Sequence, residues 1–390
     1  PTVGTALLIA CATEHTLLGR CLGWRPLVAV GLISYSAYLW HQPLFAFARH
    51  ASVAEPSAGL MAALALAALG LAALSWRYVE APYRDRHRFT RRQVFTQAAV
   101  ASLFFIGVGL VLVKGEGFAT RLSTTERAVV AYQQYDYRAV QRSFRCQLMQ
   151  DQRAGDFAAS CGLPDGSVGQ GLVVWGDSHA AALSYGLRES PALRARYGTV
   201  AQWTAASCPP MPGVRAVKSH CEEINRHILE QVRRQQPRAV VLHAAWSHYR
   251  ESADVARFGA WVAQLRQLAP ATRVLVLGSV PTWPPTLPQF LVKSGLGLDA
   301  EARRSPPQWA ELRAVDASLE RVVRNAGAEF VSVLDALCPD GQCPVVVRDG
   351  KRFAPTAWDG SHLTAAGSHL LAARLTNTLE YGPVTPTRLP

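Results

Sequence analysis

The sequence predicts an α/β fold in two parts, membrane-spanning helices followed by a three-layer α/β/α domain on a parallel sheet, and three observations lead there. Residues 1–113 run in long charge-free stretches of Ala, Leu, Val and aromatic side chains, while nearly all the acidic residues fall after position 115. From residue 171 onward short apolar runs alternate with longer amphipathic segments, the order of parallel strands joined by crossover helices. Six of the eight cysteines lie in the polar part in three close pairs, Cys146 with Cys161, Cys208 with Cys221 and Cys338 with Cys343.

The first residue is Pro1, and the opening ten residues read as the end of a spanning helix, so the chain is expected to be the C-terminal part of a longer protein. Pro26–Ala48, Ala58–Trp76 and Val94–Val113 lack Asp, Glu, Lys and Arg, and each is near the length that crosses about 30 Å of hydrocarbon. Between the second and third lie Arg77, Arg84, Arg86, Arg88, Arg91 and Arg92, opposed only by Glu80 and Asp85. Such a loop stays in the cytoplasm, so a multi-pass protein of the bacterial inner membrane would carry everything after Lys114 in the periplasm. His41 is ionisable within the first span, and reads equally as a functional group or as an interfacial ring beside Tyr38 and Trp40.

The formal charge of +12 is explained by this topology signal. No basic stripe with interleaved aromatics accompanies it, so no nucleic-acid partner is expected. The cysteine spacings suit disulfides of an oxidising compartment, and no Cys-x-x-Cys zinc pattern occurs; free thiols remain the other reading. Cys11 and Cys21 are read as unpaired.

Residues 114–170, with Gly115, Gly117 and the polar stretch Tyr132 to Tyr137, form a linker and an extension packed on the domain at 171–390. Strands are predicted at 172–175, 199–203, 239–243, 273–277 and 329–334, and helices at 180–188, 220–235, 253–268, 308–325 and 365–380. A parallel sheet binds ligands at its carboxyl edge. Leu172-Val173-Val174-Trp175-Gly176-Asp177-Ser178-His179 is a strand, a tight turn and a helix start at that edge. Near the other end, Trp358-Asp359-Gly360-Ser361-His362 puts a carboxylate three residues before an imidazole, so that the carboxylate can fix the ring's tautomer. A serine hydroxyl needs such a base to become a nucleophile. Two plainer readings exist. Asp177 and Asp359 could be helix caps. Asp177-Ser178-His179 also matches the Asp-x-His of metallophosphoesterases, but their Gly-Asn-His-Asp motif is absent downstream, so no metal is expected.

The paired motifs resemble the SGNH (GDSL-type) hydrolase family, which implies nucleophile Ser178, base His362 and orienting acid Asp359. Gly31-Leu32-Ile33-Ser34-Tyr35-Ser36-Ala37-Tyr38-Leu39-Trp40-His41-Gln42-Pro43, followed by Ser75-Trp76-Arg77-Tyr78-Val79-Glu80-Ala81-Pro82-Tyr83-Arg84, resembles the last helices of the type-3 membrane acyltransferases. Some members of that family add one helix and an SGNH domain in this order. The resemblance implies transfer of an acyl group, acetyl in the first instance, to a surface glycan such as O-antigen. The family's catalytic histidine and its arginine partner lie in earlier helices. Acetyl-CoA is therefore expected as donor of the full-length protein, and no cofactor is expected on these residues. SGNH enzymes form the oxyanion hole from the nucleophile's amide, a glycine amide and an asparagine following the third strand. Here the asparagine's place reads His243-Ala244-Ala245-Trp246-Ser247, and the candidates are Ser178, Ser207 and Trp246. A membrane-tethered carbohydrate esterase and a glycan-binding module with a degenerate triad are the rival readings.

Overall fold

A computed structural model describes residues 2–13, 15–52, 55–85, 88–213 and 218–381; Arg86 of the arginine-rich loop lies outside them. The chain divides into two compact units between Arg121 and Leu122.

In the first unit, Arg25–Ala51 is one helix. Ala58–Ser75 continues through a π-helical turn, Trp76–Glu80, into Ala81–Arg84, and Arg91–Lys114 follows. By length and composition two of these, Ala58–Arg84 and Arg91–Lys114, can cross a membrane. The expected first span is a helix of 27 residues, but Ser34, Ser36, His41 and Gln42 dilute its apolarity and it falls outside that pair. No residue of Arg91–Lys114 is buried, and Leu103, Phe104 and Phe105 are exposed. A helix apolar all round suits hydrocarbon, not water. Inside the unit, the Ser36 hydroxyl donates to Glu80 Oε2 at 3.0 Å, and Glu80 also pairs with Arg84.

The second unit is built on a six-stranded, wholly parallel sheet. Its strands are β1 (Gln147–Leu148), β2 (Leu172–Gly176), β3 (Val200–Ala205), β4 (Ala239–His243), β5 (Arg273–Leu277) and β7 (Glu329–Val331), in the order β1-β3-β2-β4-β5-β7. Alternation splits the central strands between two cores. Val173, Trp175, Val240, Leu242, Val274 and Val276 face the helices Cys221–Gln235, Ser252–Leu268 and Trp309–Asn325 through Ile228, Trp261 and Leu319. Leu172, Val174, Val241, Leu275 and Leu277 face Ser178–Glu189 and Ala365–Tyr381 through Leu183, Leu187 and Leu371. Because both faces are covered, β2 is buried throughout and reads as a continuous apolar run.

The two helices on that second face meet at Gly186 and Ser368. A Cβ on Gly186 would lie 2.2 Å from the Ser368 carbonyl oxygen. The Gly186 N–H donates to Ser368 Oγ at 2.8 Å, and that hydroxyl donates to the Leu183 carbonyl at 2.9 Å.

Sequence and structure part most in the strands. The strand expected over 329–334 stops at Val331, because Ser332 caps a short helix, Val333–Leu337, by accepting from the Asp335 N–H. The unpredicted strands β6 (Ala302–Arg304), β8 (Cys343–Asp349) and β9 (Arg352–Pro355) form a small antiparallel sheet in the order β6-β8-β9. Residues 122–170 belong to the second unit, with β1 as the edge strand of its sheet. Disulfides join Cys146 to Cys161, Cys208 to Cys221 and Cys338 to Cys343, and Cys11 and Cys21 are free.

Candidate active site

Parallel register brings Gly176 of β2 between Thr204 of β3 and His243 of β4, so three strands end together at one edge. Only glycine fits at 176, since a Cβ there would lie 1.7 Å from the His243 carbonyl oxygen. Asp177 follows as the cap of the Ser178–Glu189 helix. Its Oδ1 accepts from the His179 N–H at 2.8 Å and its Oδ2 from the Ala245 N–H at 2.9 Å, which ties the end of β2 to the chain leaving β4. Burial pushes this carboxyl above its usual value, against the pull of the two N–H donors.

Ser178 is the first residue of the helix and is half-buried. Its Oγ lies 2.8 Å from His362 Nε2. His362 Nδ1 lies 2.6 Å from Asp359 Oδ2, and Asp359 Oδ1 accepts from the backbone N–H groups of Ser361 (2.9 Å) and His362 (2.7 Å). A proton on Nδ1 therefore faces a carboxylate, and Nε2 is left to accept from the Ser178 hydroxyl. Burial alone would raise the Asp359 carboxyl; the His362 ring and the two N–H donors overcome it and hold the group below its usual value. Backbone bonds from Trp283 N–H to Gly360 O and from Leu287 N–H to Asp359 O clasp the turn from outside, at 2.7 and 2.9 Å.

Behind this line sit two histidines to which the sequence assigned no role. His179 is buried, its Nε2 is 3.2 Å from Ser361 Oγ, and its ring meets that of His362 edge-on with centroids 4.7 Å apart. Burial, and then His362 and His243, keep His179 well below the usual histidine range. His243 donates through Nδ1 to the Leu277 carbonyl at 3.3 Å and is pushed down to about 4 by burial. The signal for His179 was its place next to Ser178; nothing local marked the Ser361 partner, which is 182 residues away.

The oxyanion candidates separate. The Ser178 and Ser207 N–H groups have no hydrogen-bond acceptor among the described residues. Ser207 is exposed and holds a φ of 55°, in the left-handed region that glycine adopts without strain. Trp246 is corrected: its buried indole N–H donates to the Leu277 carbonyl at 2.7 Å and is not free to meet an oxyanion. Among the described residues no three His, Cys, Asp or Glu side chains gather as metal ligands, and the Asp177 carboxylate of the Asp-x-His pattern is taken up by backbone.

A hydroxyl, a base and an orienting carboxylate in one line can form and resolve an acyl ester. The family described as the SGNH domain fused to AT3 domains matches residues 145–377. YrhL of Bacillus subtilis, assigned by name to peptidoglycan O-acetylation, is 34% identical over 95 residues, which are 23% of this chain and 15% of that one. The chain thus spans about a seventh of the length of this curated relative. Among solved structures, the periplasmic domain of the Salmonella ser. Paratyphi A lipopolysaccharide acetyltransferase superposes with a TM-score of 0.52 at 22% identity, over 64% of this chain and 96% of that one. A carbohydrate acetylesterase from Sinorhizobium meliloti follows at TM-score 0.34 and 13% identity, over 54% of this chain and 98% of that one.

Proposed function

The chain belongs to the family of SGNH domains fused to AT3 domains, and from that premise we propose that it is an O-acyltransferase whose second unit passes an acetyl group to a hydroxyl of a cell-surface glycan. The observation that carries the reading is the unbroken line Ser178 Oγ, His362 Nε2, His362 Nδ1, Asp359 Oδ2, at 2.8 and 2.6 Å. An assembled triad also speaks against a binding module with a degenerate one. The names of the relatives, which concern lipopolysaccharide and peptidoglycan, support a polysaccharide of the envelope as acceptor.

In this reading Ser178 Oγ attacks the acyl carbonyl as its proton passes to His362 Nε2, and Asp359 stabilises the imidazolium. The Ser178 and Ser207 N–H groups take the oxyanion, each worth roughly 10²–10³ in rate. His362 then protonates the leaving group. A glycan hydroxyl, deprotonated by the same ring, attacks the acyl-Ser178 ester and regenerates the serine. The acetyl group would reach Ser178 from acetyl-CoA through the AT3 part to which domains of this family are fused. The arginine-bearing loop between residues 77 and 92 lies in the cytoplasm, Arg91–Lys114 leads outward, and the second unit works in the periplasm, where its three disulfides persist.

Partly exposed triad side chains, His362 at 22% and Asp359 at 27%, leave room for water, which favours hydrolysis as a second reading. A test is turnover of an aryl acetate by the full chain in detergent, with and without envelope glycan. Transfer predicts faster aryl release with glycan and acetylated glycan as product. Release indifferent to glycan, with all acetate in solution, would establish the esterase. No release at all would sink both readings.

A further inference from the structure

Trp358, the residue before Asp359, lies over the His362 ring with centroids 5.5 Å apart and planes at 22°. Tyr137 also stacks on the Trp358 ring, at 4.8 Å and 5°. Tyr137 lies ahead of the segment that matches the SGNH family, which begins at residue 145. Two residues earlier, the Tyr135 hydroxyl accepts from the backbone N–H of Ala365, the first residue of the helix that follows His362. A stretch of three residues thus grips the base-bearing turn on both sides, at Trp358 before Asp359 and at Ala365 after His362. Tyr137 opens a short helix, Tyr137–Gln141, whose far end is held in turn: Arg188 Nη2 donates to the Val140 carbonyl at 3.2 Å and Gln202 Nε2 of β3 to the Gln141 carbonyl at 2.7 Å.

An aromatic pair beside a triad suggests a sugar platform first. The geometry argues otherwise for Trp358, because its stacking partners are already Tyr137 and His362 itself. An indole stacked on one ring can fix the plane of another that stacks on it. His362 turns about its own side-chain bonds, and beside the Asp359 bond its ring is restrained by Ser178 and by the edge-on His179 ring, neither of which lies flat against it. Stacking removes that freedom, and aromatic pairs at such distances contribute beyond simple burial.

We infer that Tyr137 and Trp358 are positioning residues for the His362 imidazole, so that the segment ahead of the matched domain completes the catalytic centre. This rests on the reading of His362 as the base of Ser178. In that arrangement the Tyr137 ring matters and its hydroxyl does not, since the hydroxyl has no partner among the described residues. Tyr135 acts through its hydroxyl.

The experiment is steady-state turnover of an aryl acetate by the full chain in detergent, with thermal unfolding recorded for every variant. Tyr137→Ala is expected to lower kcat about 10-fold with KM unchanged, as small misplacements of a reacting group do. Tyr137→Phe should restore the wild-type kcat. Tyr137→Leu, which keeps the side-chain bulk, should behave like the alanine variant and serves if alanine does not fold. Wild-type kcat in Tyr137→Leu, a loss that phenylalanine does not restore, or a loss carried by KM alone would each overturn the inference. Ser178→Ala run in parallel separates the premise: if it retains activity, the triad reading itself falls, whereas an inactive Ser178→Ala beside an unimpaired Tyr137→Leu removes only the role of the stack.

Discussion

Asp177-Ser178-His179 and Asp359-Gly360-Ser361-His362 contain the same three side chains, and each serine reaches the histidine of the other: Ser178 to His362 at 2.8 Å, Ser361 to His179 at 3.2 Å. Their surroundings differ. In the first motif the aspartate is buried and faces two backbone N–H groups, and the histidine is buried with its Nδ1 unpartnered among the described residues. In the second the aspartate faces its own histidine, and both remain partly open to solvent. A buried imidazole without a carboxylate resists the charge that proton transfer requires, so the Ser361–His179 contact holds the turn while the Ser178–His362 contact is placed to react. Residue type proposes chemistry, and the carboxylate's choice of partner decides it.

The largest effect should come from removing the reactive pair. Ser178→Ala and His362→Ala are each expected to lower kcat for an aryl acetate by about 10⁶-fold, because nucleophile and base act as a unit. Asp359→Asn should cost about 10⁴-fold, leaving measurable turnover. Equal losses in all three would mean that Asp359 does more than orient. Stability should distinguish the histidines next. His179 and His243 are held neutral in the folded chain, while the unfolded chain takes up protons near pH 6.5. The stability they supply is full above that pH and is lost as pH falls toward the folded values, about 4 for His243. For His243 this amounts to roughly 3 kcal/mol. Denaturant unfolding of wild type and His243→Asn between pH 7 and pH 4 should show the steeper decline in wild type; parallel slopes would contradict the assignment. The smallest effect is expected from Ser361→Ala, a few-fold loss in kcat, since one neutral hydrogen bond contributes about 1 kcal/mol. A loss as large as that of Ser178→Ala would erase the distinction between the two motifs.

Much of this was legible from local pattern. β4 and β5 end where the apolar runs end, and the triad followed from two motifs of a few residues each. What escaped depends on partners far along the chain. β1 has two residues, too few to show a period, and exists because Cys146 and Leu148 carbonyls receive the Thr204 and Ala206 N–H groups. The Ser332–Asp335 cap was present in the sequence but lay hidden inside an apolar run. Trp246 shows the limit most clearly: an indole N–H at a strand end has a donor's chemistry, and only the fold reveals that the Leu277 carbonyl already receives it.

The contact of Gly186 with Ser368 has a consequence for how this enzyme can change. Ser178 opens one helix, and His362 stands three residues before the other. The two are riveted at a crossing where a glycine admits the neighbouring backbone and a buried hydroxyl bridges to both the 186 N–H and the 183 carbonyl. The gap between nucleophile and base is therefore a tolerance set at a joint two helical turns away, among buried residues. A single added methyl at 186 would reach that gap from a distance.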